Sequence, residues 1–363
     1  MAATVEAIRE RLTSLIDPWT GRDYISGKEV RNLRVEGDRV LLDLVLGYPA
    51  KSVLAEMRDR VVAAVAEVPG VASVEVTASM KIVAHQAQRG VKLLEGVRNV
   101  IAVASGKGGV GKSTVAVNLA LALAAEGARV GILDADIYGP SQPLMLGLQG
   151  QKPQSPDGKS ISPMENHGIQ AMSIGFLIDA EQAVAWRGPM ATGALEQLFR
   201  DTRWIDIDYL IVDMPPGTGD IQLTLAQKVP VTGAVVVTTP QDIALLDARK
   251  GLKMFEKVNV PILGIVENMS THVCSNCGHE EHVFGAGGGE RMAKDYGVTL
   301  LGSLPLDIRI REQADAGKPT VVADPESRPA QIYRDIARRV AVKVADLAKD
   351  SSAIFPKIVI QNT

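Results

Sequence analysis

The stretch Ser105-Gly106-Lys107-Gly108-Gly109-Val110-Gly111-Lys112-Ser113-Thr114 limits what this chain can fold into more than any other feature. The apolar run before it, Val100-Ile101-Ala102-Val103-Ala104, reads as a buried parallel strand. The apolar, Ala-rich stretch after it, Val115 to Ala125, reads as a helix. From Gly106 to Ser113 the pattern G-x-x-x-x-G-K-S is complete. Strand, glycine loop and helix, in that order, are the setting a phosphate-binding P-loop requires. Glycine at 106, 108, 109 and 111 permits positive φ and close backbone approach to an anion. Loop N–H groups and the helix N-terminus then point at the phosphates. The expected binding set is Gly106, Lys107, Gly108, Gly109, Val110, Gly111, Lys112, Ser113 and Thr114. Lys112 is expected to reach the β- and γ-phosphates, the Ser113 hydroxyl to ligate Mg²⁺, and Thr114 to meet the α-phosphate.

Lys107 stands early in the loop, where phosphate binding requires no cation. It is either a solvated lysine or a charge that reaches a nucleotide held by a second subunit. This K-G-G-V-G-K-S-T loop resembles the deviant Walker A class of dimeric ATPases, which includes MinD, ParA-type and nitrogenase iron-protein relatives. The resemblance implies that Lys107 crosses a dimer interface to the partner's ATP.

At 363 residues and 46% hydrophobic content the chain is long enough for two domains with a sizeable core. A net charge of −3 gives no electrostatic case for nucleic acid, and 4% aromatics argues against base-stacking platforms. The opening residues form an amphipathic, partly acidic helix pattern without the layout of a secretory signal. No apolar run approaches the length of a membrane span. A cytoplasmic protein with neither membrane nor nucleic-acid partner is the expectation.

Residues 4–16 place Val5, Ile8, Leu12, Leu15 and Ile16 at helical period, and Asp17-Pro18 is expected to end that helix. Glu29–Val35 and Arg39–Leu46 alternate as two strands around the hairpin signal Glu36-Gly37-Asp38. A second helix is expected from Pro49 to about Val68, with Val53, Leu54, Met57, Val61 and Val62 as its stripe. Pro69-Gly70 ends it, and Val71–Val76 is a third strand. The order αββαβ makes a small α+β domain over 1–84, read as a docking module. Residues 85–96 are polar and basic and read as a linker, with His85 solvated.

Residues 97–350 alternate strands with helices, an α/β pattern that implies a mostly parallel sheet flanked by helices. Arg129–Asp134 is a strand ending in Asp134-Ala135-Asp136, at the carboxyl edge where ligands bind. Asp136 there orients an attacking water, or holds Mg²⁺ through water, or shares with Asp134 the capping of a turn. Residues 149–168 read as a surface loop or short hairpin, and Ile169–Ile174 as a strand. A helix from Met190, preceded by Arg187-Gly188-Pro189, offers Met190, Leu195 and Leu198 to the core. Asp208–Asp213 is a buried strand whose terminal Asp213 suits water-mediated Mg²⁺ binding. Gly217 beyond it can offer an N–H to the γ-phosphate. Gly233–Thr238 and Pro261–Asn268 are further strands. Asn268 either reads an adenine edge or caps a turn. Val298–Ser303 is the last strand, and Pro305 and Asp307 at its edge form an adenine wall. Arg328–Lys349 is a terminal helix, and residues 351–363 form a tail with no assigned role.

The two cysteines, Cys274 and Cys277, form one C-x-x-C, which excludes a disulfide framework. Three chemistries stay open. A [4Fe–4S] cluster takes four thiolates, and a symmetric dimer supplies the second pair. A zinc site within one chain would use Cys274, Cys277, His279 and His282, at tighter spacing than usual. A dithiol redox pair would normally open a helix, whereas this pair sits in a polar loop.

Taken together, residues 97 to about 348 resemble the Mrp/ApbC family of iron–sulfur cluster carriers. The resemblance rests on Lys107 with the P-loop, Asp134-Ala-Asp-Ile-Tyr-Gly-Pro-Ser141, Asp213-Met-Pro-Pro-Gly-Thr-Gly-Asp220, Asn268-Met-Ser270 and Cys274-x-x-Cys277. The Asp17-Pro18-Trp19-Thr20 turn and its domain resemble the small domain of iron–sulfur assembly factors. The family implies a homodimeric ATPase with ATP and Mg²⁺ as cofactors. Lys107, Lys112 and Asp136 would be catalytic, with Ser113, Asp136 and Asp213 around the magnesium. Cys274 and Cys277 of two copies would hold a bridging [4Fe–4S] cluster, received from scaffold donors and passed to apo iron–sulfur proteins. The different reading is a MinD- or ParA-like positioning ATPase with a structural zinc. That reading expects a basic amphipathic C-terminal helix, where Arg334, Arg338, Arg339, Lys343 and Lys349 lie among acidic residues.

Overall fold

Strict alternation over Arg39–Leu46 puts Val40, Leu42, Leu44 and Leu46 on one side, and all four are buried. They belong to the first of two compact units, Met1–Val83 and Ala84–Thr363, in a computed structural model. The structure describes residues 3–84, 94–178, 188–274 and 276–354, with side chains to 347. Most of the expected linker, Arg187 and most of the tail lie outside the described residues.

The first unit runs α1 (Val5–Thr13), β1 (Val30–Glu36), β2 (Arg39–Leu46), α2 (Leu54–Ala66) and β3 (Ser73–Met80), the αββαβ order expected. The sheet order is β1-β2-β3, with β1–β2 antiparallel around Gly37 and β2–β3 parallel from Arg39↔Ser73 to Leu46↔Met80. Thr4 starts α1 by accepting the Ala7 N–H. Ile8 and Leu12 bury from α1, and Met57, Val61, Ala64 and Val65 from α2. Two expectations shift. Helix α1 ends at Thr13, so Ile16 lies beyond it and is exposed; α2 begins at Leu54, five residues after Pro49. Asp17 is fully buried, accepting the Trp19 N–H and the Tyr48 hydroxyl, each at 2.8 Å.

The second unit opens with β4 (Val97–Ser105), α3 (Lys112–Ala125), β5 (Val130–Asp134), α4 (Gln142–Met145), β6 (Met164–Asn166) and β7 (Ile169–Ser173). It continues through α5 (Gly188–Asp201), β8 (Ile207–Asp213), α6 (Asp220–Lys228), β9 (Gly233–Thr238), α7 (Asp242–Lys257) and β10 (Ile262–Glu267). The remainder is β11 (His272–Val273), β12 (Glu280–Glu281), α8 (Gly288–Tyr296), β13 (Leu300–Ser303), α9 (Ile308–Asp315), α10 (Thr320–Ala323) and α11 (Arg328–Ile354).

Eight strands pair in the order β13-β10-β9-β4-β8-β5-β7-β6, parallel except for the edge hairpin β6–β7. The central β4 is buried from Asn99 to Ser105, as a parallel strand covered on both faces must be. Helix α3 buries nearly its whole circumference, including Val115, Leu119 and Leu123. Cutting Leu119 back to Ala would cost about 2–5 kcal/mol.

Leu195 and Leu198 of α5 are core as expected, but Met190 is 57% exposed. It lies in the first turn of α5, before the stripe of Ala191, Leu195, Leu198 and Phe199 turns inward. The arginines of α11 are engaged within the fold. Arg338 is buried and paired with the buried Glu126 at 3.0 Å. Arg339 donates to the Leu301 carbonyl and Arg334 to that of Pro325.

Candidate functional site

The P-loop joins β4 to α3 at the carboxyl edge of the sheet. Its glycines serve different ends. Gly109 and Gly111 both have φ +81, the left-handed region where a side chain is strained. Gly106 has no positive φ; a Cβ there would run into the Asp247 and Ala248 backbone of α7. Gly108 has neither constraint, with open space where a Cβ would stand. The expectation of positive φ thus holds for Gly109 and Gly111 alone. Gly106 is required by close packing on α7.

Parallel register sets the acidic groups. Asp213 ends β8 opposite Val103 of β4, and Asp134 ends β5 opposite Asp213. Both carboxylates are fully buried. The Lys112 ammonium, 6% exposed, pairs with Asp213 Oδ1 and donates to Ser113 Oγ at 3.1 Å. Asp134 accepts the N–H groups of Asp136 (3.1 Å), Ser141 (2.9 Å) and Gln142 (3.0 Å) and the Ser173 hydroxyl (3.1 Å). Burial, then the Asp213 charge, nevertheless pushes the Asp134 carboxyl up. Asp136 is half-buried and accepts the Gly139 N–H at 3.3 Å; burial raises it while Lys112 pulls it down. Gly217 donates its N–H to the Ser105 carbonyl at 2.9 Å. Lys107 is half-buried, and its ammonium makes no hydrogen bond or ion pair among the described residues.

Gln142 went unremarked in the sequence. Its side chain is buried, donating from Nε2 to Asp213 Oδ2 (2.9 Å) and to the Ser113 carbonyl (3.2 Å). Among the described residues, its Oε1 and the neighbouring Ser141 hydroxyl are buried without hydrogen-bond partners. A polar residue at the first turn of a short helix gives no periodic signal. Only the packing of α4 against α3 brings it to Asp213.

The donor set fits a divalent cation. Asp213 pairs with the Lys112 ammonium, the Ser113 hydroxyl accepts from the same ammonium, and the half-buried Asp136 feels both charges, although among the described residues these acids do not come together as a ready three-carboxylate cluster. Oxygen donors with excess negative charge are what Mg²⁺ takes.

The expected adenine contacts are placed as follows. Asn268 is buried and turned onto the P-loop, donating Nδ2 to the Val110 carbonyl at 2.9 Å. Asp307 caps α9 by accepting the Arg309 N–H and pairs with the Arg309 guanidinium, which holds its carboxyl below the usual range. Pro305 lies between Leu304 and Leu306, whose backbones bond to residues 270 and 271.

The cysteine pair sits in a loop, as expected, and that loop joins two short paired strands, β11 and β12. Cys274 donates its N–H to the His279 carbonyl and accepts at its own carbonyl from Gly278, each at 2.9 Å. Backbone N–H groups of Cys277 and Asn276 and the Cys277 side chain hold the Cys274 thiol below the ordinary cysteine range. Cys274 is half-buried and Cys277 exposed. His282 and His272 place Nδ1 on the Ser270 and Leu306 carbonyls. Among the described residues no three His, Cys, Asp or Glu side chains group to hold a metal ion.

Residues 96–341 match the model of the ParA family described as NUBPL iron-transfer P-loop NTPases, over more than half of the chain. The chain belongs to this NUBPL-type P-loop NTPase family. Residues 5–78 match a second model, that of iron–sulfur cluster assembly proteins. An iron–sulfur cluster carrier protein of Escherichia coli K12 is 55% identical over 94% of each chain. One from Pseudomonas fragi is 62% identical over 76% of this chain and 96% of its own. The mouse iron–sulfur cluster transfer protein NUBPL is 53% identical over 69% of this chain and 78% of its own. Among solved structures, an ADP-bound nucleotide-binding protein of Archaeoglobus fulgidus aligns at TM-score 0.57 and 37% identity, covering 64% of this chain and 90% of that one. The cell-division ATPase MinD of Pyrococcus furiosus shares the fold at TM-score 0.50 and 24% identity, over 67% of this chain and 98% of its own. As in any NUBPL-type P-loop NTPase, the nucleotide site is expected at the loop after β4. No helix among the described residues is long and apolar enough to cross a membrane.

Proposed function

We propose that this chain is a cytoplasmic, ATP-dependent iron–sulfur cluster carrier that works as a homodimer. The observation that carries the reading is one of connection and count. The only two thiols of the chain sit on a hairpin that follows β10, and the residue just after β10, Asn268, is bonded to the P-loop. Two thiolates are half of the set a [4Fe–4S] cluster takes, so a second copy supplies the rest. The names of the relatives support the cargo.

In this reading the loop N–H groups and Lys112 bind the β- and γ-phosphates, and Lys107 reaches the ATP of the partner copy. Ser113, Asp213 and Asp136 hold Mg²⁺, which when bound neutralises charge on the phosphate oxygens. Asp136 orients the water that attacks the γ-phosphorus, and the β–γ bridging oxygen leaves with ADP. Hydrolysis is slow and changes the dimer, so that Cys274 and Cys277 accept the cluster from a scaffold donor or release it to an apoprotein. Asn268, Pro305 and Asp307 border the adenine.

The test is anaerobic reconstitution with iron, sulfide and zinc analysis. Wild-type protein is expected to bind iron and sulfide in equal amounts, and Cys274→Ala to lose the visible cluster absorbance while still binding nucleotide. A wild-type spectrum in that variant, or a single zinc in a strictly monomeric nucleotide-bound protein, overturns the proposal.

A further inference from the structure

Two histidines beside the cysteines have no place in the chemistry above. Both use Nδ1 toward a backbone carbonyl: His272 to Leu306 at 3.2 Å and His282 to Ser270 at 2.8 Å. A carbonyl only accepts, so each Nδ1 carries the hydrogen and each ring is a donor strut. The struts complete a continuous ladder. The Asn268 amide holds the Val110 carbonyl of the P-loop, and its N–H donates to Thr238. Ser270 donates both its N–H and its hydroxyl to the Leu304 carbonyl, at 2.9 and 3.0 Å. Leu306 donates its N–H to Thr271 at 2.7 Å and accepts from His272. Two residues further on stands Cys274.

One joint in this ladder is strained. Met269, between Asn268 and Ser270, has φ +57, a left-handed conformation that a side chain with a Cβ disfavours. Gly111 approaches Asn268 so closely that a Cβ on it would overlap the Asn268 amide. A shift of the P-loop around phosphate therefore displaces Asn268, and Met269 is the residue whose backbone can absorb or pass on that displacement.

We propose that Asn268, Ser270 and His272 couple P-loop occupancy to the position of the cysteine hairpin, with His272 as the positioning residue that fixes the hairpin to the 304–306 loop. This rests on the carrier reading for its purpose. Its physical content, that nucleotide changes the cysteines, holds for the protein without any cluster. Linkage makes the effect reciprocal: whatever nucleotide does to the hairpin, a ligand on the thiols does to nucleotide affinity.

The experiment uses the full-length, cluster-free protein with Mg²⁺ and a non-hydrolysable ATP analogue. It reads the alkylation rate of Cys274 and Cys277 and the amide hydrogen exchange of residues 268–283 and 304–306. Nucleotide is expected to change the wild-type alkylation rate about five-fold or more, the lower end of typical coupling. The exchange change is expected to run through both segments. His272→Ala should bind the analogue within two-fold of wild type, as an order-of-magnitude bound, yet lose the thiol response. His272→Asn, whose side-chain N–H can meet the same carbonyl, should restore it. Unresponsive thiols in analogue-saturated wild type, a full response in His272→Ala, or no rescue by His272→Asn overturns the proposal. If His272→Ala does not fold, the wild-type exchange pattern decides: changes confined to the P-loop overturn it. Failure here leaves cluster binding by Cys274 and Cys277 untouched, whereas loss of cluster binding leaves this thiol response measurable.

Discussion

Lys112 and Asp213 form a buried ion pair between the first residue of α3 and the last residue of β8. Without nucleotide, Lys112 compensates the Asp213 carboxylate at the end of β8. In the proposed nucleotide site, phosphate and Asp213 would compete for this one ammonium, and a phosphate that took the lysine would leave the carboxylate in need of another cation. Such an exchange would be a physical reason for nucleotide and Mg²⁺ to bind together.

Lys112→Met should remove nucleotide binding and also destabilise the nucleotide-free protein. Asp213 and Asp134 would face each other, buried, with no cation. Breaking a buried pair from one side costs about 3–5 kcal/mol. Urea denaturation beside nucleotide titration checks both parts. An unchanged urea midpoint would mean that the pair is not formed in solution.

Asp134 gives a pH dependence with a definite sign. Burial and the Asp213 charge raise its folded-state value from 3.8 to about 7. The folded protein thus holds a proton that the unfolded chain releases. Stability from this group is complete below the ordinary carboxylate range and is lost as pH climbs toward 7. The urea midpoint of the nucleotide-free protein should fall between about pH 4 and 7 by this contribution. Asp134→Asn should flatten that part of the profile. It should also lower stability at every pH, because an amide N–H₂ must face one of the four donors that Asp134 accepts.

Gly106→Ala and Gly108→Ala should part company. The first drives a Cβ into the α7 backbone and is expected to cost about 1–3 kcal/mol. The second meets open space at ordinary φ and should stay within about 0.5 kcal/mol of wild type. Thermal and urea unfolding of the two variants side by side is the measurement.

Lys107→Ala should leave the fold alone, within about 0.5 kcal/mol, since its ammonium has no partner among the described residues. Nucleotide binding to one copy should persist, while nucleotide-dependent dimerisation and hydrolysis fall at least about ten-fold, a loss of about 1.4 kcal/mol. Light scattering and phosphate release distinguish this from a general loss of binding.

Arg338→Met should destabilise the protein by about 3 kcal/mol, because Glu126 stays buried and charged at the end of α3. Adding Glu126→Gln should recover part of that loss. A double-mutant cycle measures the coupling. The outcome bears on the basic terminal helix, whose Arg338 is buried in the fold rather than offered to lipid or DNA.

The sequence by itself determined the longer strands, most of the longer helices and the P-loop, but not the short β6, β11 and β12. Those signals are local: apolar runs such as Val100–Ala104, period-2 alternation over Arg39–Leu46, and glycines at set intervals. It also placed Asp134 and Asp213 at strand ends, because an acidic residue closing an apolar run marks the edge of a sheet. Only the tertiary structure decided which ends meet. The strand order β4-β8-β5 and its register bring Asp134, Asp213 and Lys112 into one buried cluster, although β4 and β8 are about a hundred residues apart. The same holds for Gln142, drawn to Asp213 by the packing of α4. Asn268 is turned from solvent onto Val110, and His272 rests on the Leu306 carbonyl. Hydrogen bonds between residues far apart in the chain leave no periodic trace, so packing alone reveals them.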